Sequence, residues 1–247
     1  MKLVKRSILI FSFSFMGILS CKESHPEGIW IRVKDKQMTS KNGYVGGFMG
    51  MTVDFDKLET RFISNPLDSV IRFTIDYKSN QILDENDTLK IPYKLFGKDS
   101  LELYFEAQNS TLVLIPLRLD HKLDTSKEQI IEALTQQKIY SVNDTLNIEF
   151  SNTFLDSDYF NRGIQNKRNL TSFFPNRVFE GYWYIWEKDK NYFFVFNPDT
   201  YDTMEYILQI IAINQNKISL KEIAASQLAI DFKELTAIQS NDLKPKE

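Results

Sequence analysis

Cysteine is nearly absent from this chain: Cys21 is the only one in 247 residues. A single thiol excludes a disulfide within the body, so stability must come from core packing. Histidine is almost as scarce, at two, His25 and His121. A Cys/His zinc centre therefore has no material to form from, and only a purely carboxylate calcium or magnesium site is left open. An excess of positive charge is missing too. Without residues 1–20, which hold Lys2, Lys5 and Arg6 and no acid, 27 Lys+Arg face 33 Asp+Glu, a net charge near −6. Phosphate binding needs a basic face, so no nucleic-acid partner is expected. No Gly-x-Ser-x-Gly elbow is present, and the run Gly43–Gly50 lacks the Gly-Lys-Ser/Thr ending of a phosphate loop. Neither a catalytic residue, a metal nor a cofactor is expected.

What is present begins with Met1 to Cys21. Lys2, Lys5 and Arg6 form a basic head, Ser7–Met16 a short apolar run, and Gly17-Ile18-Leu19-Ser20-Cys21 follows. A charged n-region, a short apolar h-region and small residues before a cut have the layout of a secretory signal. The run is too short to cross a bilayer comfortably, which takes about 20 apolar residues. Leu19-Ser20-Cys21 resembles a bacterial lipobox, and with Lys22-Glu23 the stretch is similar to the leaders of Bacteroidota-type lipoproteins. That resemblance implies lipidation of Cys21, a membrane partner through the anchor, and residence at the outer membrane, on its periplasmic or surface face. The expected division is a signal over 1–20, a tether over 21–27, and a soluble body beyond.

The body alternates apolar and polar residues with period two, the mark of half-buried strands. Strands are expected at Gly28–Val33, Met51–Phe55, Glu59–Ile63, Val70–Tyr77, Leu89–Leu95, Leu101–Glu106 and Thr111–Leu117, separated by turns such as Asn65-Pro66 and Gly97-Lys98-Asp99. Pro92 and Pro116 cannot donate a ladder bond, so edges or bulges are expected there. A helix follows over 125–138, capped by Thr125 or Ser126, with Glu128 in its first turn and Ile130, Ile131 and Leu134 as its apolar stripe. Strands resume at Leu146–Phe150, and the polar stretch Ser151–Asn176 reads as a long loop. Two hairpins come next, Gly181–Phe196 about Glu187–Lys190 and Met204–Ile223 about Asn214–Asn216; helical spacing predicts a terminal helix near 224–236, against an alternating strand reading of Leu228, Ile230 and Phe232.

Gly28-x-Trp30 at the head of this meander resembles the opening of lipocalin-like domains. The resemblance implies a barrel in which Trp30 closes one end and a basic residue after the last strand, Arg118, packs over it. The expected fold is therefore mainly β: a lipocalin-like antiparallel meander or barrel over 28–124, then over 125–236 a helix and a second, smaller, aromatic-rich β module, with a polar tail at 237–247. The first meander is short for a full eight-stranded barrel. Gly181-x-Trp183 repeats its opening.

Tyr182–Trp186 is apolar on both faces, so that strand must be covered twice. One cover is a core; the other is a contact between domains or an aromatic-lined pocket for an apolar or sugar ligand. Tyr182, Tyr184 and Trp186 share a face and are the candidate ligand-binding residues, since Tyr and Trp join an apolar ring to a polar handle. The carboxylate pairs Asp54/Asp56, Asp156/Asp158 and Glu187/Asp189 read as surface acids, and His121 as an exposed histidine. The expected function is a non-catalytic, lipid-anchored envelope lipoprotein that binds a small apolar ligand or an envelope component. The alternative is a protein-interaction module of an outer-membrane assembly; a carboxylate hydrolase ranks behind both.

Overall fold

The computed structural model describes residues 25–36, 51–62, 70–86, 88–106, 109–136, 139–143, 146–154, 167–198, 206–214, 216–224 and 233–238. The leader, the Gly43–Gly50 run and Asp156/Asp158 lie outside them. The chain forms two closed antiparallel barrels of eight strands each. The first contains β1 (Ile29–Lys36), β2 (Met51–Asp54), β3 (Glu59–Phe62), β4 (Ile71–Asp76), β5 (Gln81–Asp84), β6 (Lys90–Phe96), β7 (Ser100–Phe105) and β8 (Ser110–Pro116). Each strand pairs with its successor, and β8 returns to β1 through Trp30↔Pro116 and Ile31↔Ile115. Full closure leaves no unpaired edge. Strands of only four to eight residues let eight of them fit where the sequence looked too short.

Helix α1 (Lys127–Gln136) leads into the second barrel: β9 (Ile139–Asn143), β10 (Leu146–Phe154), β11 (Arg168–Phe174), β12 (Arg177–Lys188), β13 (Asn191–Asn197), β14 (Tyr206–Asn214), β15 (Lys217–Ala224) and β16 (Glu234–Ala237). Closure is between β16 and β9, at Thr236↔Ser141 and Ala237↔Tyr140.

The helix begins where a reciprocal cap allows it. Ser126 Oγ accepts from Gln129 N–H at 3.2 Å, and Gln129 Oε1 accepts from Ser126 N–H at 2.8 Å, a capping box. Ile130, Ile131 and Leu134 then drop into the mouth of the second barrel.

That barrel is filled rather than hollow along its aromatic wall. Phe194 stacks on Phe196 at 4.8 Å and Phe196 on Tyr206 at 4.9 Å, while Phe150 sits edge-on to Trp183 and to Phe194, both at 5.3 Å. Such pairs add roughly 0.5–1.5 kcal/mol each beyond their burial. The first barrel has a lighter core, with Trp30 edge-on to Phe55 and Leu101, Leu103, Leu112 and Leu114 buried on the facing strands.

Several expectations are corrected. The presumed loop Ser151–Asn176 contains the end of β10 and all of β11; the polar Ser172, inward and fully buried, had broken the apolar alternation. The presumed terminal helix is strand at both ends: β15 runs to Ala224 and β16 starts at Glu234, with Leu235 fully buried in the core. The polar tail accordingly begins after Ala237, the last residue of β16. The second module is not smaller in strand number. Neither Pro92 nor Pro116 lies on an edge strand; the β1–β8 ladder that ends at Pro116 does carry a bulge, between Arg32 and Lys34, away from the proline itself. Each proline stands at the last pair of one ladder, Gln81↔Pro92 and Trp30↔Pro116, and just past the end of the other, which starts at Tyr93↔Leu103 for β6–β7 and ends at Leu101↔Leu114 for β7–β8.

The two Gly-x-Trp elements are not equivalent either. Trp30 sits on the first strand of its barrel and Trp183 on the fourth strand of the other. Gly28 takes φ +74° with open space around it. Gly181 is needed for a different reason: a Cβ there would lie 1.9 Å from Asn197 O.

Candidate functional site

The three candidate aromatics share one face of β12, as alternation requires, and that face is turned to the first barrel. Tyr184, Phe193, Val195 and Ile207 form a cluster with Ile31 and Leu117, flanked by Tyr182 and Trp186. The outward faces of β1 and β8 thus cover the outward faces of β12, β13 and β14. Trp183 and Ile185, on the opposite face of β12, belong to the second barrel's core. Of the two covers that Tyr182–Trp186 required, the outer one is a contact between barrels. Lys167, 9% exposed, places Nζ 3.7 Å from the centre of the Tyr182 ring and 5.7 Å from that of Tyr184. Trp186 lies 4.8 Å from Phe193.

The chain between the barrels is fastened along this seam. Gln209 Nε2 donates to Arg118 O at 3.1 Å and to Asn191 Oδ1 at 3.2 Å; the same Oδ1 accepts from His121 N–H at 3.0 Å. Leu123 N–H donates to Lys190 O at 3.0 Å, and Tyr192 OH to Thr125 O at 2.7 Å. Arg118 is exposed, and the basic residue buried beside Trp30 is instead Arg32, two positions along β1 and 3% exposed. Trp30 donates from Nε1 to Glu27 O at 2.9 Å.

Within the described residues, the bonds that the acidic pairs make hold local structure, a turn in the case of Asp54. Asp54 Oδ1 accepts from Asp56 and Lys57 N–H, and Asp56 Oδ1 accepts from Gly28 N–H. Glu187 accepts from Tyr192 OH at 3.4 Å. His121 Nε2 lies 3.5 Å from Asp120 Oδ1, with its side chain 37% exposed. Among the described residues no cluster of three His, Cys, Asp or Glu is placed to hold a metal. Cys21 lies outside the described residues.

A pocket of about 570 Å³ opens at the mouth of the second barrel that α1 crosses. That size falls within the range of small-molecule sites, about 300–1,000 Å³. Ala133 and Gln136 of α1 form one wall, and Ile213 and Asn214 at the end of β14 face Asn216 and Ile218 across the hairpin. Tyr140 closes the base. Its hydroxyl donates to Ala133 O at 2.8 Å, and burial pushes the phenol's pKa up to about 12. Gln136 Nε2 donates to Glu132 Oε1 at 3.0 Å, and Asn216 O receives Ala237 N–H at 2.9 Å, which ties the rim to β16.

This site was invisible in sequence because it joins residues about 80 positions apart. Asn214 and Asn216 had only a turn signal. The chain matches no family model, no curated protein and no solved structure.

Proposed function

We propose that this protein is a lipid-anchored envelope protein that acts by binding a small ligand rather than by catalysis. The anchor is argued from Met1–Cys21, whose basic head, short apolar run and Leu19-Ser20-Cys21 ending resemble a lipoprotein leader. An acyl chain contributes about 0.8 kcal/mol per buried methylene, so the several chains implied by a lipobox would hold the body at a membrane without a spanning segment. The observation that carries the binding half is the pocket beside α1, large enough for a small molecule and framed by strand ends that barrel closure holds in place. The stacked aromatics of the second barrel occupy its interior, so the mouth is where a ligand finds room.

Two measurements test this. Cys21→Ser should move the protein out of the membrane fraction and abolish incorporation of labelled fatty acid. The purified chain should gain thermal stability with at least one of a set of fatty acids, sterols and saccharides, since a ligand that binds only the native state stabilises it as the logarithm of its concentration over Kd. A Cys21→Ser protein that stays equally membrane-bound removes the anchor, and a flat melting temperature across the set removes the binding role.

A further inference from the structure

From the pocket's chemistry we infer that its ligand is a neutral saccharide, an inference that rests on the binding role proposed above. Three carboxamides, Gln136, Asn214 and Asn216, stand exposed around an apolar floor made by Ile213 and Ile218. Among the described residues that line the pocket, none carries a formal charge. An anionic head group would find no counter-charge among them. A purely apolar ligand would strip water from three amides without replacing their hydrogen bonds, at a cost of about 1–3 kcal/mol for each group left unsatisfied. A sugar meets both conditions at once. Each carboxamide offers donors and an acceptor, which match neighbouring hydroxyls, while the C–H face of a pyranose ring lies against the isoleucines. The volume accommodates one or two rings.

The same amides explain why the site belongs at this hairpin. Asn214 and Asn216 bracket the β14–β15 turn, and the bond from Ala237 N–H to Asn216 O, at the end of the β15–β16 ladder, sets where that turn stands against α1. Gln136 projects from the last turn of a helix whose own packing is fixed by Ile130 and Leu134. The rim is thus built from three segments that the barrel locks together, and little ordering is left to be done on binding.

The test uses the full chain in detergent against cellobiose, maltose, chitobiose and a neutral-oligosaccharide array, with sodium palmitate as the apolar probe. At least one neutral saccharide should bind. The double variant Asn214→Ala/Asn216→Ala, and separately Gln136→Ala, should weaken it; two lost hydrogen bonds predict about a tenfold higher Kd. Gln136→Ala favours the helix, so its melting curve guards against loss of fold as the explanation. Saccharide binding unchanged in all these variants overturns the site. Palmitate binding with no saccharide response overturns the ligand class and leaves the binding role standing. No response to either overturns the saccharide site, and a flat melting temperature with sterols as well overturns the binding role too.

Discussion

Gly181 shows how one absent atom shapes the second barrel. The β12–β13 ladder pairs Tyr182 with Asn197, and the Asn197 carbonyl occupies the space a Cβ at 181 would take, 1.9 Å away. Neither partner can yield easily, because both are backbone within a closed ladder. Gly181→Ala should therefore lower stability by about 3 kcal/mol or more, the range where overpacking meets rigid backbone. Gly28→Ala has open space and only the positive φ to contend with, and should cost about 1 kcal/mol. Chemical denaturation of the two variants checks the order. Tyr140 supplies a residue-scale prediction of another kind. Its phenol, ordinarily ionising near 10.0, is raised to about 12 by burial, and burial followed by the Glu187 carboxylate raises that of Tyr192 as well. The folded state therefore keeps protons that the unfolded chain has already lost. Stability is complete below about pH 10 and falls as the pH climbs towards 12. Tyr140→Phe should flatten part of that alkaline slope while costing about 1 kcal/mol at neutral pH, from the lost bond to Ala133 O. Urea unfolding at pH 7, 10 and 11.5 measures both effects.

At the scale of elements, α1 is an amphipathic helix whose start and burial agree with each other. Its capping box holds the first turn. Glu128 adds a carboxylate whose pKa lies below the ordinary value, first through its own backbone N–H and then through the Ser126 hydroxyl. Ser126→Ala removes the cap and should cost about 1 kcal/mol, read as a drop in the denaturation midpoint with an unchanged slope. The helix was legible in sequence for this reason: Ser126, Gln129 and the stripe Ile130, Ile131 and Leu134 all point the same way. The long strands of the first barrel were legible as well, because most of their inward residues are apolar, although Arg32 interrupts the series in β1. What escaped was short or interrupted. In β5 only Ile82 is buried, and four residues cannot establish a period. In β11 the inward series is Leu170, Ser172, Phe174, with a hydroxyl where the pattern needs a hydrocarbon. In β16 the inward Leu235 and the small Ala237 are outweighed by the helical spacing of the residues before them. The hairpin between β12 and β13 was found from polarity alone, although both turn residues, Asp189 and Lys190, take positive φ (51° and 61°) without a glycine.

Over the whole molecule, the question is whether two closed barrels behave as one body. Each has its own core, and closure makes each self-sufficient in backbone hydrogen bonds. What joins them is the apolar cluster of Ile31 and Leu117 with Tyr184, Phe193, Val195 and Ile207, together with the connecting chain bonded to Gln209, Asn191 and Lys190. That a strand apolar on both faces needs two covers could be read from Tyr182–Trp186; that the second cover is β1 and β8 could not, because nothing local in those strands names their partner. Phe193, Val195 and Ile207 are each no more than 1% exposed, so the seam is as dry as either core. Separating the barrels would uncover all of these side chains and strand the Gln209 and Asn191 amides. The wild-type chain should therefore unfold in a single calorimetric transition. Ile31→Asp places an unpaired charge in the centre of the seam while leaving the barrel interiors untouched, since Ile31 points outward from β1. A buried carboxylate without a partner costs several kcal/mol, more than the seam can offset locally. The expected result is two resolved transitions and a larger radius of gyration in solution scattering; a single transition at the wild-type temperature would mean that the barrels are coupled by the connecting chain alone.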